Sequence, residues 1–382
     1  VNIFADENIP LVHNFFDALG DVATFSGRNI DASQLVNADI LLVRSITRVD
    51  DALLEGTNVK FVGTCTIGHD HIDQACLKRK KIGFAHAPGC NANSVVEYIL
   101  SCLSVLTEKN AVDLDRVCVG IVGFGNVGSR LGKKLSKMGV SFKFYDPLAE
   151  DLKGFDAHQV DFSEILTCDI ISLHTPLTTD TKYPTRHLFN DKVLTKLSSR
   201  QILINTGRGA VIDGKALLRK LANHHRFTAI LDVWENEPLV DVSLAHKVAI
   251  ATPHIAGYSL DGKVAGTEMV YQALCHFMGL PVRLKAGQYM PEPPLSKMTF
   301  TSQAEFDWAI HTAIRACYDV RYDHSIFKAT FGLKDNLRAA QFDKIRKDYR
   351  VRREFHNIRI NLKNADSELY NQFRILGFNV RT

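Results

Sequence analysis

The stretch VCVGIVGFGNVGSRLGKKL, residues 117–135, admits few folds. An apolar run ends in Gly123-Phe124-Gly125-Asn126-Val127-Gly128, the spacing G-x-G-x-x-G, and a helix-forming segment follows. The first glycine makes a tight turn, and the second lets backbone N–H groups approach a pyrophosphate. The third lets the helix pack closely on the strand, and the N-terminus of that helix attracts the anion. A second strand, SFKFYDP, ends at Asp146, 18 residues after Gly128. A carboxylate there accepts hydrogen bonds from a ribose 2′-hydroxyl and repels a 2′-phosphate, so NAD is expected rather than NADP. As a mere turn residue before Pro147, Asp146 would need no glycine motif ahead of it.

Around this unit short apolar runs alternate with helix-length segments as far as residue 280: VNIFAD, ADILLVRS, VKFVGT, IGFAHAP, DIISLHTP, QILINTG, FTAILDV and VAIATPH. Runs of Val, Ile and Leu without period 2 indicate parallel sheets covered on both faces. A long helix, NANSVVEYILSCLSVLTEKN, with Asn93 or Ser94 as N-cap, separates two such sets. A second, SLDGKVAGTEMVYQALCHFMG, follows residue 258 and is expected to return to the first set. AGQYMPEPPLSK, with Pro291, Pro293 and Pro294, reads as a linker. The expectation is an α/β chain with two Rossmann-like parallel-sheet domains and a smaller α+β C-terminal domain. The first domain, discontinuous, takes residues 1–93 and 257–285 and binds substrate. Residues 94–256 bind NAD, and residues 286–382 form the third.

Composition narrows the setting. The 382 residues are 46% hydrophobic and 23% charged, and no apolar run nears the ~20 residues of a membrane span. The acids of VNIFADENIP are unlike a signal peptide, so a cytoplasmic protein with no membrane association is expected. Eight scattered cysteines, without metal-ligand spacing, read as buried free thiols rather than a metal site. The net charge of +4 resides in residues 286–382, which hold 16 Lys+Arg against 11 Asp+Glu.

Three polar residues follow strand ends in the second set: Arg208 in LINTGRGAVID, Glu237 in LDVWENEP and His254 in TPHIAG. Loops after the carboxyl ends of parallel strands lie along the edge where a dinucleotide binds. Oxidation of a carbinol carbon needs a base for the hydroxyl proton, and a histidine suits that role. A carboxylate beside it orients the imidazole and stabilises its cation. An arginine grips a substrate carboxylate with two prongs. Spacing alone does not choose between Glu237 and Glu235 for the acid.

GIVGFGNVG, INTGRG, LDVWENEP and TPHIAG occur here in the order and spacing of the D-isomer-specific 2-hydroxyacid dehydrogenases, and the chain resembles that family. The resemblance implies active-site roles for Arg208 and Glu237, with His254 as proton donor and acceptor, and it selects Glu237 over Glu235. ADENIP, VRSITRVD, GTCTIGHDHID, APGCNANSVVEY and HIAGYSLDGK are similar to a branch acting on phosphorylated 2-hydroxy acids as homodimers. That likeness implies substrate contacts at Ser45, Thr66 and Tyr258, and makes residues 286–382 a dimerisation domain. It also implies cofactor contacts at Gly123, Gly125, Asn126, Val127, Gly128, Asp146, Thr175, Thr206, Asp232 and Gly257. His69 and Gly207 depart from the branch's pattern, which expects threonine and cysteine or serine.

Independently, Arg44, Ser45 and Arg48 follow a strand end, and such donors suit carboxylate and phosphate oxygens. Solvated arginines in a turn are the competing reading. KIRKDYRVRREFH is a solvated face, a nucleic-acid surface or, through Arg346 or Arg350, a substrate-phosphate contact; no nucleic-acid partner is expected. Two rival functions remain open to the sequence. One is a dehydrogenase for another D-2-hydroxy acid such as 3-phosphoglycerate. The other is a dinucleotide-sensing, corepressor-like regulator.

Overall fold

The computed structural model describes residues 1–28, 30–109, 113–149, 154–155, 158–364 and 367–381. It divides into two units, Val1–Ala92 with Tyr258–Glu292, and Asn93–Gly257 with Pro293–Thr382.

In the first unit, β1 (Asn2–Asp6), β2 (Asp21–Phe25), β3 (Ile40–Val43), β4 (Phe61–Thr64) and β5 (Gly83–His86) form a parallel sheet. Their order is β2-β1-β3-β4-β5. One face packs Leu35, Leu41, Val43, Val62 and Leu77. The other packs Ile3, Phe15, Phe16 and Leu42 against Val264, Val270, Tyr271 and Leu274 of the helix Leu260–Phe277. That helix starts where its sequence says, because the Ser259 hydroxyl accepts the Gly262 N–H at 2.9 Å. β2 was not expected from the sequence: it is an edge strand, and none of its residues is fully buried.

In the second unit, β6 (Cys118–Val122), β7 (Ser141–Tyr145), β8 (Ile170–Leu173), β9 (Ile202–Asn205), β10 (Thr228–Leu231) and β11 (Ile250–Ala251) are again parallel. The order β11-β10-β9-β8-β6-β7 reverses at β6, so a switch point opens between β6 and β8. The long helix spans Ala92–Glu108, starting ahead of the expected caps. Asn93 and Ser94 therefore lie in its first turn; the turn before it, at Gly89 (φ +74°), already directs the chain into the helix, and the Ala92 N–H donates to the Gly89 carbonyl.

After the linker, β12 (Lys297–Thr301), β13 (Arg359–Lys363) and β14 (Asn379–Arg381) make a three-stranded parallel sheet. Only β13 was expected; β12 and β14 are its two outer neighbours and mostly exposed. Phe327, Phe331 and Phe342, from the segment between β12 and β13, join the core of the six-stranded sheet. Phe327 packs on Trp234 with ring centroids 5.9 Å apart, and the Ala251 N–H donates to His324 Nδ1 at 3.0 Å. Among the described residues no helix is long and apolar enough to cross a membrane.

Candidate active site

The glycine loop follows from close packing. Gly123 has φ +89°, and a Cβ on Gly128 would stand 2.0 Å from the Gly123 carbonyl oxygen. At Gly125 a Cβ would meet nothing within 4 Å, so open space faces the start of the helix Asn126–Lys137, which includes Val127. Asp146 Oδ2 accepts the Phe124 N–H from inside the loop at 2.8 Å, and Oδ1 accepts the Leu148 N–H at 3.0 Å. Each oxygen retains a lone pair for a ribose. Thr175, after β8, has a buried hydroxyl with no hydrogen-bond partner. Open space, an orphaned buried hydroxyl and a carboxylate at the end of β7 fit NAD.

Next to Thr175 the His174 ring is fixed from both sides. Its Nε2 lies 2.9 Å from the Ser172 hydroxyl and its Nδ1 3.1 Å from that of Thr206. Burial pushes its pKa down to about 3, so this imidazole stays neutral. The sequence reading passed over it.

Arg208 leaves β9 on a turn that Asn205 organises. The Asn205 amide accepts the Gly207 N–H at 3.0 Å and donates to the Arg208 carbonyl at 2.9 Å. A Cβ on Gly209 would lie 2.0 Å from the Trp234 carbonyl carbon, so the Gly-Arg-Gly turn and the loop after β10 touch backbone to backbone. Gly207 is also tight, since a Cβ would stand 2.9 Å from the Thr175 carbonyl oxygen. The Arg208 guanidinium donates to the Gly207 carbonyl.

The two candidate acids separate in space. Glu235 pairs with His187 Nε2 at 2.6 Å. Glu237 Oε2 lies 2.7 Å from His254 Nδ1, and Glu237 Oε1 accepts the Trp234 N–H at 2.9 Å. Burial would raise the Glu237 carboxyl, but the charge and hydrogen bond of His254, the charge of Arg346 and the Trp234 N–H hold it below its usual range. An ionised Glu237 takes a proton on Nδ1 and leaves Nε2 of His254 as the face that receives or gives one.

His254 has φ +57°, a left-handed conformation that is rare outside glycine. Asp232, 1% exposed, enforces it. The Asp232 carbonyl accepts the His254 N–H at 2.7 Å. Its carboxylate accepts the Ile255 and Ala256 N–H groups and the Thr252 hydroxyl at 2.7–2.9 Å. Burial pushes this carboxyl above its usual range, against the pull of His254 and of those donors. Asp232, read from sequence as a cofactor contact, thus has both oxygens engaged within the protein. Gly257 ends the loop.

In the first unit Arg44 and Arg48 part company. Arg48 is solvated, its side chain 84% exposed. Arg44 Nε donates to Asp6 Oδ1 at 3.0 Å, and Asp6 is fully buried. Ser45 is exposed. The Thr66 hydroxyl bonds Thr64 and the Gly68 carbonyl, and Lys263 Nζ lies 4.2 Å over the Tyr258 ring. His69 stands edge-on to His86, centroids 4.9 Å apart. Asp6 was missed; its position at the carboxyl end of β1 was the available signal.

The basic tail is not one solvated face. Arg350 stacks on Tyr322, whereas Arg352 and Arg353 are buried. Five of the eight cysteines are buried and three half-buried, all as thiols.

Comparison with known proteins adds independent findings. Residues 105–256 match the D-isomer specific 2-hydroxyacid dehydrogenase NAD-binding domain, and residues 289–377 match a domain of unknown function. The chain is 50% identical over 380 residues to the erythronate-4-phosphate dehydrogenase of Hahella chejuensis, covering 100% of this chain and 99% of that one. It is 47% identical over 378 residues to that of Azotobacter vinelandii, covering 99% of each. Among solved structures, the D-lactate dehydrogenase of Aquifex aeolicus with NAD and lactic acid superposes with a TM-score of 0.62 at 24% identity. It covers 73% of this chain and 96% of its own. The NAD-bound 3-phosphoglycerate dehydrogenase of Entamoeba histolytica has a TM-score of 0.62 at 23% identity over 75% and 98%. These last two share the fold.

Proposed function

The chain belongs to the erythronate-4-phosphate dehydrogenases, within the D-isomer-specific 2-hydroxyacid dehydrogenase family, and on that premise we propose how its residues perform the NAD-dependent reaction. The substrate is 4-phospho-D-erythronate, oxidised at C2 to 2-oxo-3-hydroxy-4-phosphobutanoate in pyridoxal 5′-phosphate biosynthesis.

The observation that carries the mechanism is the 2.7 Å bond between Glu237 and His254. With Nδ1–H donated to Glu237, the Nε2 lone pair takes the proton from the C2 hydroxyl. Glu237 stabilises the resulting imidazolium. The chemistry NAD supplies when bound is acceptance of the hydride that leaves C2. Arg208 grips the substrate carboxylate and polarises the forming carbonyl. Gly123, Gly125, Asn126, Val127 and Gly128 receive the pyrophosphate and Asp146 the adenosine ribose. Thr175, Thr206, Asp232 and Gly257 serve the nicotinamide half, Asp232 by shaping the loop.

Arg44, Ser45, Thr66 and Tyr258 serve the substrate's oxygens. Arg44 supports this best, because its Nε is fixed on Asp6 while the rest of the fork remains for an anion. Residues 1–93 and 257–285 are the substrate domain, 94–256 the NAD domain and 286–382 the dimerisation domain of a cytoplasmic homodimer. Trp308, 54% exposed, stands beside the edge strand β12 and is the kind of residue a second copy would cover.

The test is turnover of 4-phospho-D-erythronate with NAD, with and without a 2-oxo acid acceptor, against 3-phosphoglycerate. A higher kcat/KM for 3-phosphoglycerate would defeat the reading.

A further inference from the structure

The loop that carries His254 is held on two sides. Asp232 takes the N–H groups of residues 254, 255 and 256. The carbonyl side is held from the C-terminal segment: Arg352 Nη1 donates to the Ala256 carbonyl at 3.1 Å. Nη2 of the same guanidinium donates to the Ser94 carbonyl at 2.7 Å, in the first turn of the helix Ala92–Glu108.

This arginine is built in. It is 3% exposed, and its guanidinium carbon lies 3.6 Å from the centroid of the Tyr318 ring. Tyr318 is itself anchored, its hydroxyl donating to Asp323 at 2.8 Å and its carbonyl accepting the Ser101 hydroxyl at 2.8 Å. Glu97 Oε2 approaches the guanidinium at 3.9 Å. Burying a charge costs several kcal/mol unless its geometry is satisfied; here the plane and both Nη groups are used, while Nε has no hydrogen-bond partner. Lysine offers neither.

We propose that Arg352 is a positioning residue for the acid–base histidine: by fixing the Ala256 carbonyl against Ser94 and Tyr318, it keeps His254 in the left-handed backbone conformation from which Nδ1 meets Glu237. The C-terminal segment thus contributes to the chemistry within its own chain, beyond any part in association. The inference rests on the reading of His254 as the acid–base group. A misplacement of about 1 Å at a reacting group can cost a hundredfold in rate, so a tether two residues away reaches kcat without touching substrate.

The test uses full-length enzyme saturated with NAD and the variant Arg352→Lys. The expected result is a kcat at least tenfold lower, KM for NAD within twofold, and amide exchange of residues 254–256 at least tenfold faster. A lower melting temperature with unchanged kcat and unchanged exchange would overturn the proposal, because the tether would then be structural only. If Arg352→Lys does not fold, Tyr318→Leu removes the platform and is read by the same two measurements. Wild-type enzyme that fails to turn over 4-phospho-D-erythronate defeats the functional reading alone. Exchange that does not respond defeats this one, whatever the activity.

Discussion

Asp232 accepts the His254 N–H on its own carbonyl at 2.7 Å and spends its carboxylate on the two N–H groups that follow. One buried residue thereby sets three consecutive backbone groups, and the left-handed residue among them is the one proposed as the acid–base group. In Asp232→Asn one carboxylate oxygen becomes an NH2 facing N–H donors. Leaving one buried N–H unpaired costs about 1–3 kcal/mol. We expect a melting temperature several degrees lower and a reduced kcat, read by calorimetry and steady-state kinetics. Unchanged values for both would show that the loop stands without it.

His254→Asn removes the proposed base and leaves the glycine loop alone. NAD affinity, followed by fluorescence titration, should stay within about threefold, while kcat falls by roughly 10³ or more. Glu237→Gln should be nearly as severe, about 10²–10⁴. A glutamine amide can donate to Nδ1, which moves the ring proton to Nε2, where it blocks acceptance from the hydroxyl. A Glu237→Gln enzyme with near-wild-type kcat would disprove the orientation.

Two glycines should fail in opposite ways. Gly125→Ala meets no neighbour within 4 Å and has φ −75°, so its melting temperature should move by no more than about 3 °C. Its KM for NAD should rise at least tenfold, because the methyl group enters the space proposed for the pyrophosphate. Gly209→Ala would drive a Cβ into the Trp234 backbone. That should cost more than the ~1–3 kcal/mol of ordinary overpacking and show as a large drop in melting temperature. Equal stability of the two variants would contradict the packing.

Stability should fall with pH through Glu97. Burial first, and the nearby charge of Glu354, push its carboxyl up to about 8 from an ordinary 4.5. Between these values the unfolded chain ionises while the folded chain holds its proton, so unfolding is favoured as pH rises. The contribution is whole below pH 4.5 and gone above pH 8. Glu97→Gln keeps the neutral form and the acceptor for the Phe355 N–H. Thermal melts from pH 5 to 9 should show wild type losing stability relative to the variant, on the order of a few kcal/mol. Parallel curves would rule out the shift.

What the sequence made legible tracks local pattern. The central strands of both larger sheets are buried on both faces and read as unbroken Val/Ile/Leu runs. β2, β12 and β14, at sheet edges with few buried side chains, carried no such signal. The glycine spacing implied its own geometry, because a turn, an open approach and a close contact each demand glycine. Choosing between Glu235 and Glu237 depended on partners 48 and 17 residues away, His187 and His254, which spacing cannot supply. Arg352 was hidden for the same reason: its Ala256 partner lies 96 residues distant, and it stacks on Tyr318, which caps the helix Phe306–Cys317.

The first unit's dependence on the helix Leu260–Phe277 has a consequence for how the protein is made. Tyr271 closes on Phe15 and Phe16, and Val264, Val270 and Leu274 complete the same apolar face. On the ribosome, residues 1–92 emerge with that face bare, and the whole stretch 93–257 is synthesised before its cover arrives. Joining ends so far apart carries an entropic cost that early folding of the intervening unit would reduce. The strands of residues 1–92 therefore stay an exposed, adhesive surface until that helix arrives, and a pause or truncation before residue 277 leaves them in that state.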